Sequence, residues 1–237
     1  MKYDKVIRAG INGCGNIVVE QTLNYLFDQA NNQLDKSRSG FHRPANASDI
    51  VIHTFRYLDN LEPGNKCHIS GLDKLSIGVV IPVRDFRSAL ASQMRKRGIS
   101  PTKITIAQMY KDLFVKMYME MHRYTTDFNK PEDVLLLDYR EYFNNSDYLL
   151  DELGRFLDID ITDSQRSEIK QRFSLEANSK IAKQMSSWGQ MDTSSGIHGR
   201  HIGTGHPESW KIFFPPELHG FVTELMMSEL VAYGLES

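Results

Sequence analysis

"VIPVRDFRSALAS", residues 80–92, sets an apolar run directly against a charged pair, with Ser92 eight residues after Arg84. A short, nearly all-apolar run is the pattern of a strand covered on both faces, as in a parallel sheet. Such a strand delivers its last residue to the carboxyl edge of the sheet, where α/β proteins hold ligands. Asp85 is placed to cap a helix opening at Phe86 by accepting a backbone N–H. Ser92 lies two helical turns beyond Asp85, so the two share a face. A guanidinium and a hydroxyl can then converge above the sheet, a pairing suited to a phosphate. Taken without further context, these residues read more simply as a surface Arg84–Asp85 pair and a solvated Ser92.

Three further runs share the pattern: "KVIRAGI" at 5–11, "DIVIHT" at 49–54 and "DVLLLDY" at 133–139. With "SIGVVIPV" at 76–83 they predict four buried strands. An irregular stretch with Pro63, Gly64 and Gly71 separates the second and third strands, and helical spacing appears in the other segments between and after the strands. It is carried by Val18, Leu23 and Leu26, then by Met109, Leu113, Met117 and Met121, by Leu149, Leu153 and Leu157, and by Leu218, Val222 and Met226. The methionine stripe is expected to fill core rather than to hold a cofactor. Residues 31–48 are polar with Gly and Pro, and are expected to form a loop. Strand and helix alternate without repeats, so the expected fold class is α/β: a P-loop-like, doubly wound central parallel sheet flanked by helices, in one domain over residues 1–237.

At 237 residues the chain can bury a sizeable core. Its formal net charge of −2 gives no global attraction to nucleic acid or to an anionic membrane, so neither is an expected partner and any anion site must be local. Two cysteines, Cys14 and Cys67, make neither a disulfide framework nor a zinc site. A cytoplasmic protein without a signal segment or membrane span is expected. No metal is expected either; the Gly- and His-rich stretch 198–206 has the character of a lid.

The turn "GINGCGN" closes the first strand at the ligand edge. Gly10, Gly13 and Gly15 allow a tight turn and leave N–H groups beside a helix N-terminus, where an anion is favoured. The turn has no Walker lysine and is not GxGxxG. A ligand-free tight turn is the plain alternative.

"RDFRSALAS" resembles the 3′-phosphate motif of the cytosolic-type and bacterial PAPS-dependent sulfotransferases, in which a strand ends in Arg-Asp-Pro or Arg-Asn-Pro and a serine follows eight residues after the arginine. Arg84 and Ser92 match; Phe86 takes the place of the proline, whose part there is to pre-set the first helical residue. "NGCGN" stands where that family has its 5′-phosphosulfate loop. "VLLLDYREYF" is similar to the strand ending in Tyr-Glu-Asp-Leu, with Tyr139 on the tyrosine. "GRHIGTGHPESWK" is similar to the Arg-Lys-Gly…Trp-Lys loop that closes over the nucleotide, matching Arg200, Gly203, Gly205, Trp210 and Lys211.

The resemblance implies that Arg84 and Ser92 hold the 3′-phosphate of PAPS, with Arg200, His201 and Gly203 near it. It implies that Asn12, Gly13, Cys14, Gly15, Asn16 and Ile17 hold the phosphosulfate, with Asn12 and Asn16 as neutral donors. Tyr139 joins the nucleotide site. Trp188 and Trp210 are aromatic residues able either to stack on a ring or to fill core. Gly13 falls where the family has a lysine or arginine, and Asn16 and Ile17 replace its two threonines. Losing a donor of that kind costs roughly 10²–10³ in rate. Arg8, Lys66 and Lys211 are candidate substitutes. His53, ending the second strand where the cytosolic enzymes have a histidine base, is the expected proton acceptor, with Asp35 and His42 as second choices; a positioned base contributes roughly 10²–10⁴. The implied activity is transfer of a sulfuryl group from PAPS to a hydroxyl or amine of a small-molecule or carbohydrate acceptor, releasing PAP. The missing lysine keeps open a nucleotide-binding protein without turnover. The lack of a Walker lysine and of a clear magnesium aspartate disfavours a P-loop kinase. Loops 31–48, 55–75 and 185–200 are the expected walls of the acceptor pocket.

Overall fold

A computed structural model describes residues 2–3, 5–32, 51–53, 76–126, 131–187, 189–192, 195–199, 202–203 and 205–236. The candidates Asp35, His42, Lys66, Trp188, Arg200 and His201 lie outside the described residues, as do the loop expected at 55–75 and all of the loop expected at 31–48 except residues 31 and 32, which continue the first helix.

Strand β1, Lys5–Arg8, leads through a glycine turn into helix α1, Asn16–Asn32. Strand β2 is Val51–His53 and β3 is Ile77–Val83; helix α2, Phe86–Lys96, follows β3 directly. Helices α3, Lys103–Met109, and α4, Val115–Thr126, are joined by a π-helical segment, Tyr110–Phe114. Strand β4, Val134–Asp138, runs into the short α5, Tyr139–Tyr142. Then come α6, Ser146–Leu157, α7, Asp163–Phe173, and α8, Leu175–Lys183. The hairpin β5, Met191–Asp192, and β6, Ile197–His198, precedes α9, Trp210–Phe213, α10, His219–Leu225, and α11, Met227–Ala232.

The main sheet is parallel in the order β2-β1-β3-β4. This order has a functional consequence. The chain leaves β1 toward β2 on one side and returns to β3 on the other, so the carboxyl ends of β1 and β3 are neighbours at a topological switch point. The glycine turn and Arg84 are therefore brought side by side by backbone pairing alone, with Ala9 N–H bonded to the Val80 carbonyl at 3.0 Å.

Side chains alternate across the sheet as the pleat requires. Ile7, Ala9, Val79, Ile81 and Val83 pack with α2, α4 and the C-terminal helices. Val6, Val80 and Leu137 pack with α1, α6 and α7 on the other face. The expected methionine stripe is core, with one change. Met109, Met117 and Met121 are buried, but Leu113 is only partly so, and Phe114 is buried in its place. The π segment inserts one residue into the helical repeat, which rotates position 114 inward. Leu149, Leu153 and Leu157 line the inner face of α6 as expected. The single C-terminal helix expected from Leu218, Val222 and Met226 is instead broken at Met226 (φ −113°, ψ 11°), although all three side chains are buried. Among the described residues, no helix is long and apolar enough to cross a membrane.

Candidate active site

β3 hands the chain to α2 through Arg84 and Asp85, both buried. Asp85 caps α2 by accepting the Arg87 N–H at 2.9 Å, and its carboxylate also pairs with the Arg87 guanidinium at 2.7 Å. Arg87 in turn reaches Thr223 Oγ1 at 3.0 Å and Glu236 at 2.8 Å, and it lies 4.2 Å over the Trp210 ring. The first turn of α2 is thus anchored to the C-terminal helices, which leaves Arg84 free of the Arg84–Asp85 surface pair considered from sequence.

Arg84 points into the switch point. One guanidinium nitrogen, Nη1, donates to the Gly13 carbonyl at 2.9 Å. The other, Nη2, donates to Ser209 Oγ at 2.9 Å and to the His206 carbonyl. Nε approaches the Pro207 carbonyl at 3.4 Å. Below it lies the Tyr139 ring, 4.7 Å away, whose hydroxyl donates to the Gly205 carbonyl at 2.7 Å. Burial raises the Tyr139 pKa, with Arg84 acting in the opposite sense. The fork of Arg84 therefore joins the first turn to the 205–209 segment across the edge of the sheet.

The glycine turn is held by its carbonyls. Arg84 takes Gly13 O, Tyr142 donates to Cys14 O at 3.0 Å, and the Asn16 amide donates to Gly10 O at 2.8 Å and Ile11 O at 3.0 Å. With these acceptors engaged, the N–H groups at the start of α1 are what the turn has left for an anion. This corrects one expectation. Both amide hydrogens of Asn16 are used to fix the turn, so in this conformation its side chain has no amide hydrogen left to donate to a phosphosulfate. Asn12 is exposed at the apex, and Cys14 is wholly buried. Burial pushes the Cys14 thiol up to about 12, against the pull of Arg84, so it is neutral and unreactive.

Gly13 answers the question of the missing lysine. Its φ is +104°, and a Cβ there would stand 3.0 Å from the Ala89 carbonyl and 3.4 Å from Ser92 Cβ. The small residues Ala89 and Ser92 let α2 approach the turn so closely that a side chain at position 13 would be strained by its φ and would need α2 to give by a few tenths of an ångström. The same contact places Ser92 directly beside Gly13, within the span of Arg84. At Gly15 (φ +79°) a Cβ would meet the Tyr139 ring at 2.5 Å.

The remaining candidates separate. His53 ends β2, with its Cα registered against Arg8 at the same edge of the sheet. Arg8 is buried beside Glu20, 3.4 Å away, and burial lowers its pKa; it is held under α1 by that partner. Lys211 is half-exposed and paired with Glu208. Trp210 is core: it is buried, packs edge-on against His219 at 4.8 Å, and its backbone N–H bonds Ser88 Oγ at 3.2 Å. Ile17 sits under the β5–β6 hairpin, where a Cβ on Gly196 would lie 3.7 Å from it. Gly203 rests against Arg95, as a Cβ there would stand 2.9 Å from Nη2. Among the described residues, no group of three or more His, Cys, Asp and Glu side chains could hold a metal ion.

Solved structures share this fold. A retinol dehydratase in complex with androsterone and inactive cofactor PAP aligns with a TM-score of 0.61 at 12% identity, over 96% of this chain and 80% of its own. A mouse sulfotransferase complexed with PAP gives 0.61 at 13%, over 96% and 84%. A retinol dehydratase with retinol and PAP gives 0.61 at 12%, over 97% and 82%. No curated protein matches the sequence. A family model described as the sulfotransferase domain matches residues 4–234, and on that match the chain belongs to the sulfotransferase family.

Proposed function

We propose that this protein transfers a sulfuryl group from PAPS to a hydroxyl or amine of a small-molecule or carbohydrate acceptor, releasing PAP. The observation that carries the proposal is the junction of Arg84, Ser92 and Gly13 at the switch point, supported by family membership and by the PAP held in the structural neighbours. Two of those neighbours carry androsterone or retinol, which supports a small-molecule acceptor.

In this proposal Arg84 and Ser92 grip the 3′-phosphate, with Arg200, His201 and Gly203 on the segment beside it and Tyr139 beneath. The backbone of Asn12 to Ile17 holds the phosphosulfate at the α1 N-terminus. The acceptor oxygen bonds to sulfur as the bond from sulfur to the 5′-phosphate oxygen breaks. The electron pair stays on that phosphate oxygen, and the acceptor proton passes to His53. In-line displacement of this kind depends on positioning and on donors aimed where charge develops.

The glycine at position 13 favours a second reading: nucleotide binding without turnover, since that position carries no cation and its φ and packing strain any side chain there. Two measurements test these readings. PAP should raise the melting temperature well above the effect of ATP or NAD; no selective PAP shift counts against both. Labelled PAPS with an acceptor panel then separates them. Transfer to any acceptor supports the enzyme, and PAP binding with no transfer supports the binding protein.

A further inference from the structure

We propose that Gln21 and Asn178 are positioning residues for sulfuryl transfer: their buried amide pair holds the β5–β6 hairpin over the phosphosulfate turn and keeps water from the sulfuryl group. This rests on the PAPS reading above and assigns a part in it to two residues outside the motifs that carry that reading.

Gln21 stands one helical turn beyond Ile17, so the two lie in line on one face of α1. The tip of the hairpin rests on that line. A Cβ on Gly196 would lie 3.7 Å from Ile17 Cδ1, and the Gln21 amide donates to the Ser195 carbonyl at 3.0 Å. Two consecutive hairpin residues thus meet two consecutive turns of α1, and Ile17 is the last residue of the turn assigned to phosphosulfate. The tip is itself tied together. Asp192, at the end of β5, accepts the Ser195 N–H at 2.8 Å and the Ser195 hydroxyl on its carboxylate, and its carbonyl accepts the Gly196 N–H at 2.9 Å. What fixes Ser195 therefore fixes the hairpin.

Gln21 is held from α8 by Asn178. The Asn178 amide donates to Gln21 Oε1 at 3.0 Å and to the Phe173 carbonyl at 3.2 Å. The Gln21 amide gives one hydrogen to Asn178 Oδ1 at 3.3 Å and the other to Ser195. Both side chains are buried, at 2% and 3% exposure. Packing α1 on α8 does not by itself call for such a pair. Apolar residues would serve there, and a buried amide costs free energy unless its polar atoms are engaged. What the amides add is direction: with Oε1 tied to Asn178, the donor end of Gln21 faces the hairpin. The consequence lies at the turn, where water competes with the acceptor. Its oxygen can bond to sulfur as the bond from sulfur to the 5′-phosphate oxygen breaks, leaving PAP and sulfate and releasing a proton to solvent. A roof fixed over Ile17 restricts that attack.

The experiment incubates the full chain with labelled PAPS in buffer without acceptor and follows labelled sulfate, beside PAP affinity by calorimetry. Gln21→Met keeps the length of the side chain and removes its hydrogen bonds. Loss of a buried hydrogen bond is worth about tenfold in the seating of the hairpin, so sulfate release should rise about tenfold at saturating PAPS, with PAP affinity within about twofold of wild type. Asn178→Leu should act in the same direction. Asp192→Ala loosens the same hairpin without opening the buried pair, and keeps the test available where the pair variants do not fold. A merely structural lesion would lower turnover and would not raise it. Faster sulfate release by the folded variants supports the roof. Release unchanged or slower in all of them, with PAP still bound, overturns the roof but leaves the PAPS reading standing. No PAP binding by the wild-type chain overturns that reading, and the roof with it.

Discussion

The Arg84 guanidinium donates to the Gly13 carbonyl across 2.9 Å, joining residues 71 positions apart. One bond ties the end of β3 to the turn after β1, and Ser92 stands beside the same glycine. Its removal is the most direct test of the site. Arg84→Ala should weaken PAP roughly 100-fold, and Arg84→Lys should recover only part of it, because an ammonium restores charge but not the fork. Titration of both variants decides this; an alanine variant that holds PAP within a few-fold of wild type would remove Arg84 from the site.

Restoring a lysine at position 13 should harm the protein rather than activate it. The φ of +104° is strained for any side chain, and the Cβ would press on the Ala89 carbonyl at 3.0 Å. Gly13→Lys should lose about 1–3 kcal/mol of stability in denaturant unfolding, with no gain in sulfuryl transfer. A stable, faster variant would refute this packing.

Lys96 should make stability depend on pH. Its pKa falls from 10.5 to about 7 on folding, so between those values the unfolded chain binds the additional proton and stability rises with pH. The penalty is full below about pH 7 and fades toward pH 10.5. Lys96→Met should therefore melt higher than wild type at pH 6, with the difference shrinking at pH 9. A pH-independent difference would contradict the assigned burial.

Cys14 should resist alkylation. With the thiol buried and its pKa near 12, peptide-level mass spectrometry should find it unmodified by iodoacetamide at pH 8 in the folded chain and labelled in denaturant. Rapid native labelling would show that the turn opens.

Tyr142→Phe should destabilise by about 1–3 kcal/mol, because it leaves the buried Cys14 carbonyl without its donor. Tyr139→Phe also removes a hydroxyl, but from a bond to the 205–209 segment, so it should act on nucleotide affinity more than on stability. Paired unfolding and PAP titrations distinguish the two tyrosines; a Tyr142→Phe chain as stable as wild type would refute the anchoring of the turn.

The strands were legible because each is a short apolar run, and the Asp85 cap because capping is a local event between neighbours. Helices α7 and α8 carried no comparable signal: Ile169 and Phe173 are the buried apolar residues of α7, too few for a periodic stripe. The reciprocal amide pair of Gln21 and Asn178, which binds α8 to α1, joins polar residues 157 positions apart and leaves no trace in the pattern. The burial of Lys96 is hidden from the sequence for a related reason. A lysine in a last helical turn has the same sequence signature whether it faces water or the cleft.

The sequence by itself determined an alternating α/β chain, the strand-to-helix junction at Arg84 and the spacing of Arg84 and Ser92, since these follow from hydrophobic period and from local capping. Only the tertiary structure decided that β1 and β3 are adjacent, that α2 packs tightly on Gly13, and that Arg84 reaches across to the 205–209 segment. Local pattern fixes which face of an element is apolar; strand order and close packing fix what that element meets, and both depend on contacts between residues far apart in the chain.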